Sequence, residues 1–279
     1  MPVIDLHCHT TASDGLVAPA DLVRHAADRG VDVIAVTDHD TTSGVASAAE
    51  ASERVAVRVV PGIELSTRHK GREIHLLGYF IDIARSVLTD ALVETREQRR
   101  HRAIRIVDRL NELGYDVSMN DVEAQSEGDV IARPHIARAL MAHGYVPSVR
   151  AAFSSELIGD GGLAFVPREA MSTVDAVRLI RTAGGVSVVA HPGVSHHEGE
   201  AKPIPDDVVA ELAAAGISGL EIDHPDHPPL VRDHLRALVA ELGLVATGGS
   251  DWHGLPEHTL GGWTTSQESF ERLEGLAGG

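Results

Sequence analysis

Short aliphatic runs, each closing on a polar residue, set the main constraint on how this chain folds. Residues 3–6, 31–37, 55–61, 73–80, 186–190, 219–222 and 244–248 are dominated by Val, Ile, Leu and Ala and are too short for helices, so they read as strands. The segments between most of them carry helical spacing and helical punctuation. Residues 19–29 open on Pro19 and stop at Gly30, residues 42–54 are Ala-rich, and residues 173–183, 206–215 and 229–242 stop at Gly184, Gly216 and Gly243. A weak helix over residues 268–276 ends the pattern. Strands with near-continuous apolar character, alternating with helices, predict an α/β fold built of βαβ units around a parallel sheet.

The alternation breaks once. Residues 88–113 read as one long helix stopped by Gly114, followed by short helices over 120–126, 134–143 and within 147–158, with no strand between 115 and 165. The expected organisation is therefore a first α/β part over residues 1–86, a helical insertion over 87–167 and a second α/β part over 168–279. The basic run from Arg96 to Arg105, flanked by Glu94 and Glu97, reads as a solvated helix face.

The polar residues that close the strands share a chemistry. His7 and His9 lie two apart and so project to one side of a strand, with Asp14 on a small-residue turn beyond them. Other strand ends bring Asp38 and His39, Glu64, His191, and Asp251 with His253, while His75 sits inside its strand. In α/β barrels and sheets, functional groups gather at the carboxyl ends of strands. A set rich in imidazole and carboxylate, without thiolate partners, suits Mn²⁺, Zn²⁺ or Fe²⁺, and it offers more donors than one ion uses. Two or three divalent ions in such a cluster serve phosphoryl transfer. The single cysteine, Cys8, points away from the two histidines and reads as packing; it permits no internal disulfide.

Composition narrows the partners. The formal net charge of −17 argues against a duplex nucleic acid partner, though a local arginine cluster around a phosphate is compatible with it. No basic leader with an apolar core opens the sequence and no 18-residue apolar run occurs, so no membrane partner is expected and the expected location is cytoplasmic.

The segments HCH, SDG, TDHD, PGIE, AHP and SDWH, in this order, resemble the PHP (polymerase and histidinol phosphatase) superfamily over residues 1–80 and 165–262. The opening DLHCHTTASDG and the segment RPHIARAL are similar to its TrpH-like phosphoesterase branch. The resemblance implies a distorted (β/α)7 barrel with a mainly helical insertion capping the metal site. It implies that His7, His9, Glu64 and Asp251 hold a first metal ion, that Glu64 bridges to a second completed by His75 and His191, and that Asp14, His39 and His253 hold a third. Many relatives carry histidine where this chain has Asp14, which makes the third site harder and more suited to Mn²⁺ or Mg²⁺. Mn²⁺ is the expected ion, with Zn²⁺, Fe²⁺ and Mg²⁺ as alternatives.

The implied reaction is hydrolysis of phosphate from small nucleotides such as nucleoside 3′,5′-bisphosphates. A hydroxide held between the first two ions attacks in line. His7, His9, Glu64, Asp251 and His253 are the catalytic group, and His253 or Asp251 is a candidate to protonate the leaving oxygen. Arg133 and His135, at a helix start, and Arg168 are the expected phosphate-binding residues. Alternatives are 5′-3′ exonuclease action on short 5′-phosphorylated single-stranded RNA or DNA, histidinol phosphate hydrolysis, an amidohydrolase, and a metal-binding module without turnover. Asp5 reads either as a residue orienting a ligand histidine or as a strand end, and Asp38 and Asp40 are expected to orient His39. His69, His101, His143, His196, His197, His224, His227, His234 and His258 read as surface or structural, with His196 and His224 the foremost exceptions.

Overall fold

The structure, a computed structural model, describes residues 1–197 and 200–277, and of residues 195–197 and 200–202 the backbone alone. The side chains of His196 and His197 therefore lie outside the described residues. The chain runs β1 (Ile4–Cys8), α1 (Pro19–Asp28), β2 (Val33–Val36), α2 (Val45–Ser52), β3 (Arg58–His69) and β4 (Arg72–Tyr79). Four helices follow: α3 (Ser86–Glu112), α4 (Met119–Glu123), α5 (Arg133–Ala142) and α6 (Val149–Ala152). Then come α7 (Thr173–Thr182), β5 (Val186–Val189), β6 (Ser195–His197), β7 (Glu200–Lys202), α8 (Asp206–Ala215), β8 (Gly219–Asp223), α9 (Pro229–Leu242), β9 (Val245–Gly248) and α10 (Gln267–Leu276).

One mixed sheet of seven strands, in the order β1-β2-β3-β4-β5-β8-β9, forms the centre. Its two edges meet just past the strands, where Cys8 bridges to Trp252 and the His9 N–H donates to the Trp252 carbonyl at 2.9 Å. The sheet is thus nearly closed into a barrel with helices around it, an α/β architecture. β6 and β7, which the aliphatic pattern does not reveal, pair as a separate small hairpin.

The expectation of a parallel sheet is corrected at β4, which runs antiparallel to both β3 and β5. The reason is the connection. Only Lys70 and Gly71 join β3 to β4, both at positive φ (48° and 81°), a two-residue hairpin turn with no room for a crossover helix. β3 also continues through Pro61-Gly62-Ile63-Glu64, where the aliphatic run stops, to His69.

The strands bury both faces. Ile63, Leu76, Val189, Leu220 and Ile222 pack outward under α7, α8 and α9, and Ile4, Leu6, Leu77, Val188 and Val245 pack together in a second cluster. The helices α3 to α6 have a cluster of their own, in which Ile106, Leu110, Val122, Ile136 and Leu140 are at most 1 % exposed. Each such side chain contributes about 1.5–3 kcal/mol on burial. Helix α3 belongs to both bodies, because Leu88 and Leu92 near its start join the barrel cluster. Its buried stripe continues through Arg99, Arg102, Ala103 and Ile106 at helical spacing. The basic run is therefore not a uniformly solvated face: Arg99 and Arg102 are 4 % and 7 % exposed and point inward. No helix among the described residues is long and apolar enough to cross a membrane.

Candidate metal centre

All nine side chains that the sequence marks as candidate ligands come together at one rim of the barrel. Glu64 is their hub. Its Oε2 lies 3.4 Å from His7 Nε2, 3.2 Å from His9 Nε2 and 3.0 Å from His39 Nδ1. Its Oε1 lies 2.9 Å from His75 Nδ1 and 3.2 Å from His191 Nε2. Asp251 Oδ1 stands 3.4 Å from His7 Nε2 and 3.1 Å from His9 Nε2. Asp14 faces His253 Nε2 at 3.4 Å and His39 Nε2 at 3.8 Å. Three overlapping groups each bring their donor atoms within 4.8 Å of one another: His9, Asp14, His39 and His253; His7, His9 and Asp251; His39, Glu64 and His75.

The local backbone explains these positions. β1 presents His7 and His9 with ring centroids 5.1 Å apart, both fully buried. Glu64 and His75 belong to the β3–β4 hairpin, in which Ser66 pairs with His75. His191 and Asp251 sit just past strand ends with φ of 27° and 49°, a region sparsely used by residues other than glycine. Gly249 must lack a side chain, since a Cβ there would lie 2.3 Å from the His7 Cβ.

Two carboxylates, Asp38 and Asp40, act differently from the sequence reading, while Asp5 does reach a candidate ligand, accepting the His7 N–H at 3.3 Å. Asp38 does not hold His39. It accepts the Thr10 N–H at 2.7 Å, the Thr10 hydroxyl at 2.7 Å and the Ser13 hydroxyl at 2.6 Å, and so fixes the loop that carries Asp14. Asp40 accepts from Arg99 Nε at 2.6 Å and from the Ser66 N–H at 2.9 Å. Asp5 accepts the Ser250 and Gly261 amides at 2.9 Å and 2.8 Å, tying β1 to the segments after β9. A short polar side chain in a tight segment finds backbone amides more readily than a ring across the barrel. The residue that orients the ring of a candidate ligand is Glu221, 2.9 Å from His7 Nδ1. Its signal was a carboxylate in the middle of the apolar run Gly219–Ile222. His224 is 1 % exposed beside Asp251, as its place past a strand end foreshadowed, whereas His227 is locked by the Gly193 amide and the Ile222 carbonyl.

The electrostatics show what the rim would accommodate. Burial alone would raise Glu64, yet His39, His75 and His7 outweigh it and hold the carboxyl well below its usual range. Burial alone would depress His9, yet Asp251 and Glu64 raise it to about 10; His75 is raised to about 9 by Glu64 and Glu73 against the same penalty. The two imidazole shifts share one cause, concentrated buried negative charge, which a divalent cation would satisfy. His7 Nε2, both ring nitrogens of His9, His39 Nδ1 and Glu64 Oε2 are buried without a hydrogen bond among the described residues, although all lie within 3.9 Å of oppositely charged groups. Donors converging on shared points, rather than aligned on one another, are what metal coordination requires, and the all-N,O set fits hard to borderline divalent ions. The cluster can hold divalent metal ions.

The helices over this rim carry the opposite charge. Arg99, Arg102, Arg133 and Arg168 line one small cavity with Ile131 and Ile136. Arg133 also lines the neighbouring cleft of ≈ 150 Å³ with Glu73, His75 and His191. It pairs with Asp160 at 2.5 Å and stacks near Phe153 and Phe165. Burial, and then Arg99, lower Arg168 to about 10; burial, with Arg168 and Arg133, lowers Arg102 to about 9. Arg168 Nε and NH1 and Arg102 NH2 have no hydrogen-bond partner among the described residues. Arg99 and Arg102 escaped the sequence reading because a charge run gives no sign of which turn faces inward. His135 is turned into the protein at 1 % exposure, its Nδ1 accepting the Ala132 amide at 3.0 Å. Burial lowers it to about 4 and keeps it neutral.

The helices dock closely on the rim. Gly128 packs against the Ala12 backbone so tightly that a Cβ would lie 2.2 Å from the carbonyl oxygen. Asp129 accepts the Thr41 hydroxyl at 3.1 Å, and Arg138 donates to the Asp14 carbonyl.

Comparison with known proteins gives concordant matches. Residues 5–173 match the model of the PHP domain. A phosphoribosyl 1,2-cyclic phosphate 1,2-diphosphodiesterase of Eggerthella lenta is 34% identical over 90% of this chain and 94% of its own length. A 5′-3′ exoribonuclease of Escherichia coli is 34% identical over 90% of this chain and 85% of its own. A 3′,5′-nucleoside bisphosphate phosphatase of Chromobacterium violaceum is 34% identical over 91% of this chain and 88% of its own. Among solved structures, a candidate metal-dependent phosphoesterase of Bifidobacterium adolescentis superposes with a TM-score of 0.91 at 32% identity, covering 98% of this chain and 96% of its own. An amidohydrolase of C. violaceum, solved with bound sulfate and no metal, superposes with a TM-score of 0.88 at 30% identity over 98% and 96%.

Proposed function

Because this chain belongs to the PHP domain family, whose relatives are metal-dependent phosphoesterases, we propose that it hydrolyses phosphate esters of small nucleotides, nucleoside 3′,5′-bisphosphates foremost. The observation that carries this reading is that the candidate metal rim and a guanidinium group line one cleft. His75 and His191, at the rim, and Arg133, which also borders the four-arginine cavity, line the same space. A substrate with two phosphates engages both features: one phosphate at the reacting rim, the other against guanidinium groups. The sulfate bound by the C. violaceum structure is a tetrahedral oxyanion of the same kind.

His7, His9, Glu64 and Asp251 would hold a first ion, Glu64, His75 and His191 a second, and Asp14, His39 and His253 a third, with Mn²⁺ the ion that best suits imidazole–carboxylate donors. When bound, the ions acidify water and neutralise phosphoryl charge. The chain's own groups do the rest. His253 Nδ1 donates to the Asp251 carbonyl at 2.9 Å, so its Nε2 carries the free lone pair toward Asp14. Arg133 and Arg168 hold the phosphate in register and spread its negative charge. Residues 87–167 act as a cap that screens the rim from bulk water, and His135 supports that cap by closing the start of α5.

The test is turnover by metal-stripped protein given Mn²⁺, on four substrates: a nucleoside 3′,5′-bisphosphate, a short 5′-phosphorylated RNA, a phosphoribosyl 1,2-cyclic phosphate and histidinol phosphate. Preference for the bisphosphate supports the proposal. Preference for the RNA moves the chain to the activity of its E. coli relative, and turnover of none of them overturns the reading.

A further inference from the structure

Strand β8 contributes none of the nine proposed ligands, yet its end touches ligands from three other strands. Glu221 is fully buried. One carboxylate oxygen lies 2.9 Å from His7 Nδ1 and the other accepts the His191 N–H at 2.8 Å. His224, three residues on, accepts the Asp226 N–H on Nδ1 at 3.2 Å and places Nε2 3.5 Å from Asp251 Oδ2. The opposite oxygen, Asp251 Oδ1, is the one that faces His7 and His9.

We propose that Glu221 and His224 are positioning residues through which β8 sets the ligand geometry of two ion sites at once. A carboxylate only accepts hydrogen bonds, so Glu221 requires the proton of His7 on Nδ1 and leaves the Nε2 lone pair turned to the rim. The same carboxylate holds the peptide of His191 at its unusual φ of 27°. Glu221 therefore joins a ligand of the first ion, His7, to a ligand of the second, His191. His224, whose Nδ1 accepts the Asp226 N–H and whose proton is therefore on Nε2, faces the outer oxygen of Asp251 at 3.5 Å and makes its one charged contact with a ligand of the first ion. Gly249 completes the arrangement: a Cβ there would lie 2.9 Å from Glu221 Oε1, so nothing separates this carboxylate from His7.

The inference rests on the metal-site reading of the preceding section, and calorimetric titration of the metal-stripped full chain with Mn²⁺ separates the two. If the unsubstituted chain binds no Mn²⁺, the metal-site reading fails. Given binding, Glu221→Gln, which keeps the volume, is expected to weaken two of the binding events by about 10–100-fold, and His224→Gln to weaken one by a similar factor. Wild-type affinities in both variants overturn the inference, as does equal weakening of every event in both, which marks a merely structural role. Should Glu221→Gln fail to fold by circular dichroism, His224→Gln decides alone: selective loss of one event supports the inference, and unchanged or uniform affinity overturns it.

Discussion

The rim and the helices above it are built from opposite charges and on opposite kinds of scaffold. At the rim, Glu64, Asp14 and Asp251 are held ionised by surrounding imidazoles, and the imidazoles His9 and His75 are driven upward by the carboxylates. In the cap, Arg168 and Arg102 are driven downward, first by burial and then by neighbouring arginines. The rim concentrates negative charge on short side chains from β3 and from the segments just past β1 and β9, so the backbone sets where each group lies. The cap concentrates positive charge on long side chains from α3, α5 and the segment before α7, where reach matters more than backbone placement. On the proposed function, the difference matches the two tasks: a cation would need a preset cage, whereas a phosphate would be met by guanidinium groups that adapt to it.

The comparison can be broken at its hub. Glu64→Ala removes the carboxylate that the first and second proposed ion sites would share. We expect kcat/KM for phosphoester hydrolysis to fall by about three orders of magnitude or more, several kcal/mol of lost stabilisation, with an unchanged far-ultraviolet dichroism spectrum. Activity within tenfold of wild type would refute the hub assignment. Chelation should give a similar loss, reversed by Mn²⁺.

Next in size is the joint between the halves. Arg99 and Asp40 form a buried pair at 2.6 Å, so Arg99→Met leaves a buried carboxylate without its main partner. Denaturant titration should register a loss of about 3–5 kcal/mol of stability. An unchanged midpoint would mean that Arg168, 3.9 Å from Asp40, already carries the pairing.

Arg133→Ala tests the cap's chemistry directly. Losing one charge-assisted contact of about 1.5–3 kcal/mol should raise KM for a bisphosphate by roughly 10–100-fold, with a smaller effect on a monophosphate. An equal effect on both substrates would place Arg133 at the reacting phosphate instead. The smallest effect belongs to the docking contacts. Asp129→Ala loses the hydroxyl bonds to Thr41 and Ser43 and the pairing with Arg96, and should cost about 0.5–1.5 kcal/mol of stability with kcat retained.

How legible each half was in the sequence follows from the same contrast. Ligands at strand ends are announced by a change of residue class at the end of an apolar run, so His7, His9, Glu64, His191 and Asp251 could be read one by one and found together. The reversal of β4 was hidden because the aliphatic run ends at Pro61, while β3 continues through alternating residues to the turn at Lys70 and Gly71. Glu221 was hidden because one carboxylate in an apolar run looks like a tolerated exception. Arg99 and Arg102 were hidden because the basic run covers every side of α3, and only the tertiary fold decides which turn is covered. The supporting carboxylates Asp38 and Asp40 were visible as residues but not as roles, since their partners are amides, hydroxyls and an arginine that come near only in the closed barrel.

The β3–β4 hairpin has a further consequence, in time rather than space. Glu64 and His75 lie eleven positions apart and meet through a local turn, a contact whose closure costs little chain entropy. His7 and His9 are made long before Asp251, their facing carboxylate, which lies far along the chain. Contacts of such long sequence separation form late. The second half of the rim can therefore take shape while the chain is still being made, and the first half exists only once the last strand has joined the barrel.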